Sequence, residues 1–232
     1  MLILKGMIGG LLNAALFAAF LLVPAGLVAG GTWYWPRALV FLSVYCVILE
    51  AGIVVLAVMA PASIEARFRL PVSKKQPVAD RIVTAIFMLS FFAWVALIPI
   101  DVFNLRLLPT PPFAVSVGGG ALFLFGFAIV MTAIYQNSFA VPFVEDQTER
   151  GQVLVDTGLY ARVRHPLYLG ALPLFAGLAL WLESYAALIA TPVLIGVLVA
   201  RIVVEEKTLR RTLPGYAEYM EKVQYRLIPF VW

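Results

Sequence analysis

The 232-residue chain is too apolar for an ordinary soluble protein: 62% of its residues are hydrophobic, 13% are charged, and its mean hydropathy is +0.96. Soluble domains carry about 25% charged residues, so this composition excludes a soluble globule and a long disordered segment, and it favours a polytopic membrane protein. The single cysteine, Cys46, and the single histidine, His165, exclude a disulfide framework and a Cys- or His-rich metal site.

Six stretches of the chain carry little or no charge and approach the roughly 20 residues that a helix needs to cross a bilayer. They lie at 7–28, 37–60, 82–101, 113–135, 166–182 and 185–204. Because hydrocarbon offers backbone groups no outside partner, each stretch is expected to be helical. The sequence therefore predicts an all-α integral membrane protein with a bundle of about six transmembrane helices. The last two stretches are short and closely joined, which predicts a helical hairpin and leaves its full crossing of the bilayer open.

The basic residues are unevenly distributed between the predicted loops. With the N-terminus inside, Arg37 and Arg106 fall outside and all the other Lys and Arg residues fall in cytoplasmic segments. This asymmetry follows the positive-inside rule and predicts cytoplasmic N- and C-termini. The net charge of +4 is then mainly a topology signal, with anionic lipid head groups as the expected contacts rather than nucleic acid.

The two parts of the chain differ in polarity. Residues 1–135 read as apolar helices with short links, and we expect them to provide scaffold and substrate access, whereas residues 136–232 hold most of the unusual polar chemistry. In the first part, Gly118–Gly120 lacks a preceding strand, which favours close helix packing over a nucleotide loop. Glu50 lies near the middle of the second span, where a carboxylate is either a functional group or a hydrogen-bond acceptor for a neighbouring helix.

Three basic side chains precede the fifth predicted span. Pro166 is suited to the first position of a helix, which places His165 near the N-cap, after Arg162 and Arg164. Cations are disfavoured at the positive end of a helix dipole, so this cluster suggests an anion bound among them. The alternative is that the arginines lie at the level of the lipid head groups.

The sixth predicted span ends in a second group of ionisable residues. Arg201 and Glu205 are four residues apart and share a helix face, which fits either a polar cavity or a simple salt bridge. Pro214 and Gly215 then end the helix. A short amphipathic cytoplasmic helix is predicted to follow, where Tyr216 and its neighbours form core contacts or interfacial anchors.

In this order, these motifs resemble the isoprenylcysteine carboxyl methyltransferases and the related phospholipid methyltransferases. The resemblance covers about 140–230 and rests on the runs LVDTGLY and RHPLYLG and on three spaced patterns. The patterns are Arg201 with Glu205 and Glu206, Tyr216 with Tyr219, and Arg226 with Pro229.

The resemblance implies an integral membrane enzyme that uses S-adenosylmethionine and releases S-adenosylhomocysteine. By motif position, the implied cofactor site comprises Tyr160, Arg164, His165, Pro166, Tyr168, Glu206 and Tyr216, with Arg201 and Glu205 near the reacting group. Arg164 and His165 would suit the cofactor carboxylate, Glu206 its amino group, and tyrosine rings its sulfonium.

The implied reaction is methylation of a lipid-like or isoprenylated substrate, with carboxyl O-methylation as the leading expectation. Prenylated proteins, isoprenoid or fatty acids, phospholipid amines and small thiols all remain open as substrates. Two other functions remain open as well. Sterol reductases carry a similar RHPxY segment, so the anion could be an NADPH phosphate, and a non-enzymatic protein could bind lipid phosphate at the same residues.

Overall fold

The computed structural model of the protein describes residues 1–68, 78–140 and 151–232. The described residues form helices and connecting turns, with no strand. The helices are α1 (Leu2–Leu27), α2 (Pro36–Met59), α3 (Pro61–Arg67), α4 (Val78–Ile100), α5 (Phe113–Gln136), α6 (Pro166–Trp181), α7 (Tyr185–Thr212) and α8 (Tyr216–Lys222). A π-helical turn, Asp101–Leu105, extends α4, and a short 3-10 turn, Gly158–Ala161, precedes α6.

Five of these helices are long and apolar enough to cross a membrane, namely α1, α2, α4 with its π-helical turn, α5 and α7. The shorter helix α6 is apolar and has 16 residues. This architecture confirms the predicted all-α membrane bundle, because long uncharged runs leave the backbone no alternative to helix in hydrocarbon. The chain is thus a multi-pass membrane protein, and α6 and α7 form the predicted C-terminal hairpin.

Helices α5 and α6 approach each other at two pairs of glycines. A Cβ atom placed on Gly126 would lie 2.6 Å from the carbonyl oxygen of Gly170, and one on Gly177 would lie 2.6 Å from the carbonyl oxygen of Gly119. Only glycine allows backbones to come this close, as in other tightly packed membrane helices. The close packing predicted at Gly118–Gly120 is therefore confirmed for Gly119 and Gly120 but not for Gly118, which faces open space. The contacts of α5 with α6 fix the N-terminal end of α6 beside the C-terminal end of α5.

A set of polar contacts fixes the turn between α6 and α7. Arg37, at the start of α2, pairs with Glu183 at 2.9 Å, and Trp181 Nε1 donates to the Arg37 carbonyl oxygen at 3.1 Å. The N-cap of α7, Ser184, donates its hydroxyl proton to Asp101 Oδ2 at 2.7 Å. These contacts attach the hairpin to α2 and α4 at the end of the bundle opposite the candidate site.

The chain after α7 folds back onto the start of α6. Tyr216 and Tyr219 of α8 are buried with Leu213 and Val223, as an amphipathic helix requires. Tyr225 follows α8, and its carbonyl oxygen accepts a 2.9 Å hydrogen bond from the backbone N–H of Arg164. The C-terminal segment therefore covers the residues that lead into α6.

Glu50 lies on α2, against Gly10 of α1. A Cβ atom on Gly10 would come within 2.3 Å of Glu50 Oε1, so the glycine makes room for the carboxyl group. Both carboxyl oxygens are buried, and neither has a hydrogen-bond partner among the described residues. A functional role for Glu50 stays a prediction.

Candidate active site

A cavity of about 340 Å³ lies where the C-terminal ends of α5 and α7 meet the start of α6. This volume is within the range of small-molecule sites, and its walls combine apolar and charged side chains as such sites do. Its walls come from α3, α4, α5, α6, α7 and α8 and from the segment 152–155. Eight of the nine predicted site residues line it, namely Tyr160, Arg164, His165, Pro166, Tyr168, Arg201, Glu205 and Tyr216.

The start of α6 is held by a buried network of charges. Arg164 Nε donates to Glu206 Oε1 at 2.7 Å, and His165 Nε2 lies 3.2 Å from the same oxygen. Arg164 Nη1 also donates to the carbonyl oxygens of Val223 and Gln224 at 2.6 and 2.9 Å. Burying an arginine requires this degree of pairing, and the network fixes Arg164 in place.

Glu206, the ninth predicted residue, lies behind the cavity wall rather than in it. Its Oε2 accepts a 2.8 Å hydrogen bond from Arg226 Nε, so both oxygens of the buried carboxylate are engaged by basic side chains. The Arg226 guanidinium in turn lies 4.9 Å from the ring centre of Trp232. Glu206 therefore joins α7, the start of α6 and the C-terminal segment.

Tyr168 links the two predicted residues of the reacting centre. Its hydroxyl donates to Glu205 Oε2 at 2.8 Å and accepts from Arg201 Nε at 2.9 Å. Tyr168 is on α6 and its two partners are one turn apart on α7, so the bridge fixes the register of the two helices. The sequence spacing placed Arg201 and Glu205 on one face, and the tyrosine between them completes a hydrogen-bonded triad.

Tyr216 has a buried hydroxyl group with no hydrogen-bond partner among the described residues. The ring is 4% exposed and lines the cavity. Burial raises the pKa of this phenol, and the negative charges of Glu206 and Glu205 raise it further, so the hydroxyl keeps its proton at neutral pH. Buried hydroxyls nearly always have a partner, so this donor is suited to a ligand in the cavity.

Tyr160 and Tyr219 close the cavity on the side of the 3-10 turn. The Tyr219 hydroxyl donates to the carbonyl oxygen of Tyr160 at 2.7 Å. The Tyr160 hydroxyl donates to the carbonyl oxygen of Ala133 at 3.4 Å. Burial, followed by the charge of Glu205, raises the pKa of Tyr160. Both side chains therefore line the cavity in positions that are fixed by their hydroxyl groups.

Two residues of the site were not found from the sequence. Arg67 lines the cavity from α3, although its sequence context indicated only a topology signal. Arg226 was noted as part of a motif, but nothing in the sequence showed that it pairs with Glu206. Arg162, considered for the anion site, is exposed and does not line the cavity.

Residues 115–214 match the sequence model of the phospholipid methyltransferase family. The match includes α5 from Val115 onward, the 3-10 turn, α6 and α7, and thus all the predicted site residues except Tyr216. No curated protein sequence matches the chain. The match agrees with the resemblance found in the RHPLYLG and RxxxEE motifs. From α5 to the end of α7, the chain is thus similar to the phospholipid methyltransferase family, and this similarity supports a membrane methyltransferase.

Proposed function

We propose that the protein transfers a methyl group from S-adenosylmethionine to a lipophilic acceptor, and that both molecules bind in the cavity. The observation that carries this proposal is the cavity itself, which gathers eight predicted site residues, seven of them within the region that matches the methyltransferase family. The unpartnered hydroxyl of Tyr216 fits a polar ligand there, and the neighbouring basic groups fit the cofactor's carboxylate.

In this proposal, the start of α6 binds the amino-acid part of the cofactor. Arg164 supplies positive charge, His165 supplies its imidazole ring, and the backbone N–H groups of the first turn after Pro166 supply further donors. Tyr160, Tyr168 and Tyr216 would border the cofactor, where neutral rings attract a sulfonium cation. We assign Glu206 to positioning, because its carboxylate holds Arg164 and Arg226 and does not line the cavity.

Bound S-adenosylmethionine supplies an electrophilic methyl group, and the protein has to align the acceptor atom with it. Arg201 and Glu205 are fixed by the same Tyr168 hydroxyl, so both are held in one orientation at the cavity wall. Alignment of this kind accounts for much of the rate acceleration in bimolecular reactions.

The charges of this triad favour an acidic acceptor. A carboxylate is already a nucleophile, so it needs Arg201 to hold it and no general base. An amine or a thiol would instead have to lose a proton, for which Glu205 is the candidate base. We propose carboxyl O-methylation of a lipid-like or isoprenylated acid, because an arginine at the reacting centre favours an anion.

The experiment is transfer of a radiolabelled methyl group into a total lipid and protein extract, followed by treatment with base. A methyl ester releases labelled methanol in base, whereas N-methyl and S-methyl products keep their label. We expect base-labile label from the wild-type protein and little from Arg201→Gln. Base-stable label would contradict carboxyl methylation, and thermal stabilisation by NADPH but not by S-adenosylmethionine would contradict the methyltransferase proposal.

We further propose that both termini and the cavity face the cytoplasm, on the basis of the Lys and Arg distribution. Residues 1–135 would then provide scaffold and access from the bilayer, and 136–232 most of the catalytic groups. A fluorescent protein fused after Trp232 should fluoresce in bacteria, and an alkaline phosphatase fused there should be inactive. The reverse pattern would contradict this orientation.

A further inference from the structure

The charged side chains that line the cavity are unequally compensated. Arg164 pairs with Glu206 at 2.7 Å, and Arg201 is connected through Tyr168 to Glu205. The remaining lining arginine is Arg67, the last residue of α3. Among the described residues, no carboxylate forms an ion pair with it.

Arg67 is held in place by backbone carbonyl groups. Its Nη1 donates to the carbonyl oxygen of Ser63, and its Nη2 donates to that of Ala140 at 2.7 Å. Burial lowers the pKa of the half-buried guanidinium to about 10, so it still carries its full charge at neutral pH. A guanidinium has five N–H donors, so Arg67 retains donors for a ligand after these two contacts.

The position of Arg67 relates it to the reacting centre. Arg67, Tyr160 and Glu205 line the same cavity, so the guanidinium and the carboxylate border one space. Apolar side chains of α4 and α5 form the neighbouring wall, namely Phe87, Met88, Val130 and Ile134. A cationic group beside an apolar wall is complementary to an amphiphile with an acidic head.

We propose that Arg67 binds the acidic head group of the methyl acceptor, a carboxylate or a phosphate, and thereby selects acidic amphiphiles over neutral ones. This inference rests on the proposed function and assigns part of the acceptor site to α3, outside the matched family region. The charge-assisted bonds would form between the head-group oxygens and the guanidinium N–H groups that have no partner among the described residues. The apolar chain would lie along α4 and α5.

Direct binding tests this proposal without any methyl transfer. The purified full chain in an uncharged detergent is titrated with two matched pairs, farnesoic acid against farnesol and oleoyl lysophosphatidic acid against monooleoylglycerol. The first pair tests a carboxylate and the second a phosphate. We expect the wild-type protein to prefer the acid in at least one pair, and Arg67→Gln to lose about tenfold or more of that preference.

Three controls separate a ligand contact from a structural one. Arg67→Lys keeps the positive charge and should retain part of the preference for the acid. This variant still tests the proposal if Arg67→Gln proves unstable. Arg162→Gln removes an exposed positive charge outside the cavity and should change nothing. Binding of S-adenosylhomocysteine should be unchanged in both Arg67 variants, which also confirms their folding.

The proposal is overturned if the wild-type protein shows no preference in either pair, or if Arg67→Gln keeps the full preference. It is also overturned if S-adenosylhomocysteine binding falls as much as acid binding, since Arg67 would then be a cofactor ligand. Acid binding that depends on Arg67, in a protein that binds no S-adenosylhomocysteine, would instead contradict the proposed function and leave the acid site in place.

Discussion

Arg164 and Glu206 join the start of α6 to the C-terminal part of α7 through a buried 2.7 Å ion pair. Glu206 also accepts a hydrogen bond from Arg226, so one carboxylate holds three segments of the chain. Because Arg164 and His165 line the cavity, this carboxylate sets the shape of the site without facing it.

The first prediction concerns Glu206→Gln. Removing one partner of a buried ion pair leaves uncompensated charge, which typically costs about 3–5 kcal/mol. We expect the variant to unfold at lower denaturant concentration in detergent and to bind S-adenosylhomocysteine more weakly. Glu218→Gln, at an exposed position of α8, is the matched control. Unfolding of Glu206→Gln at the same concentration as this control would show that the pair is not structural.

The second prediction concerns Glu205→Gln and the class of nucleophile. A general base contributes about 10²–10⁴-fold to rate, whereas a carboxylate acceptor requires no base. We therefore expect this variant to lose less than about tenfold in kcat. Glu218→Gln serves as the control, because it removes an exposed carboxylate of α8 that does not line the cavity. A loss of a hundredfold or more in Glu205→Gln, with activity retained in Glu218→Gln, would point to an amine or thiol acceptor.

The third prediction compares two glycines of α5. Alanine at Gly126 would place its Cβ 2.6 Å from the Gly170 carbonyl oxygen and force α5 and α6 apart, whereas nothing lies within 4 Å of a Cβ at Gly118. Overpacking typically costs about 1–3 kcal/mol. We expect Gly126→Ala to lower the melting temperature and Gly118→Ala to leave it unchanged or slightly higher. Equal melting temperatures would mean that the helices are not in contact at Gly126.

The fold could be predicted from the sequence because it depends on local composition. An uncharged run of about 20 residues has to be helical in hydrocarbon, and Pro166 and Pro214 mark where helices begin and end. The structure confirms these boundaries, with α6 starting at Pro166 and α7 ending at Thr212. The hairpin prediction followed from the same local rules.

The partners within the site could not be predicted in the same way. Spacing placed Arg201 and Glu205 on one helix face, but it could not show that a tyrosine from another helix bridges them. Arg67 was interpreted as one of many cytoplasmic cations, because nothing local distinguishes a cation in a cavity from one at the head groups. These contacts depend on which helices pack together, and the sequence of one helix does not contain that information.

The central claim is that the cavity binds the methyl donor, and S-adenosylhomocysteine binding to the purified protein tests it most directly. Isothermal titration in detergent should give saturable binding in the micromolar range with one site per chain. His165→Ala should weaken it by about tenfold, as expected for loss of a contact to a charged group, while Arg162→Gln should not change it. Absence of saturable binding, or binding equally strong in all three proteins, would contradict the account.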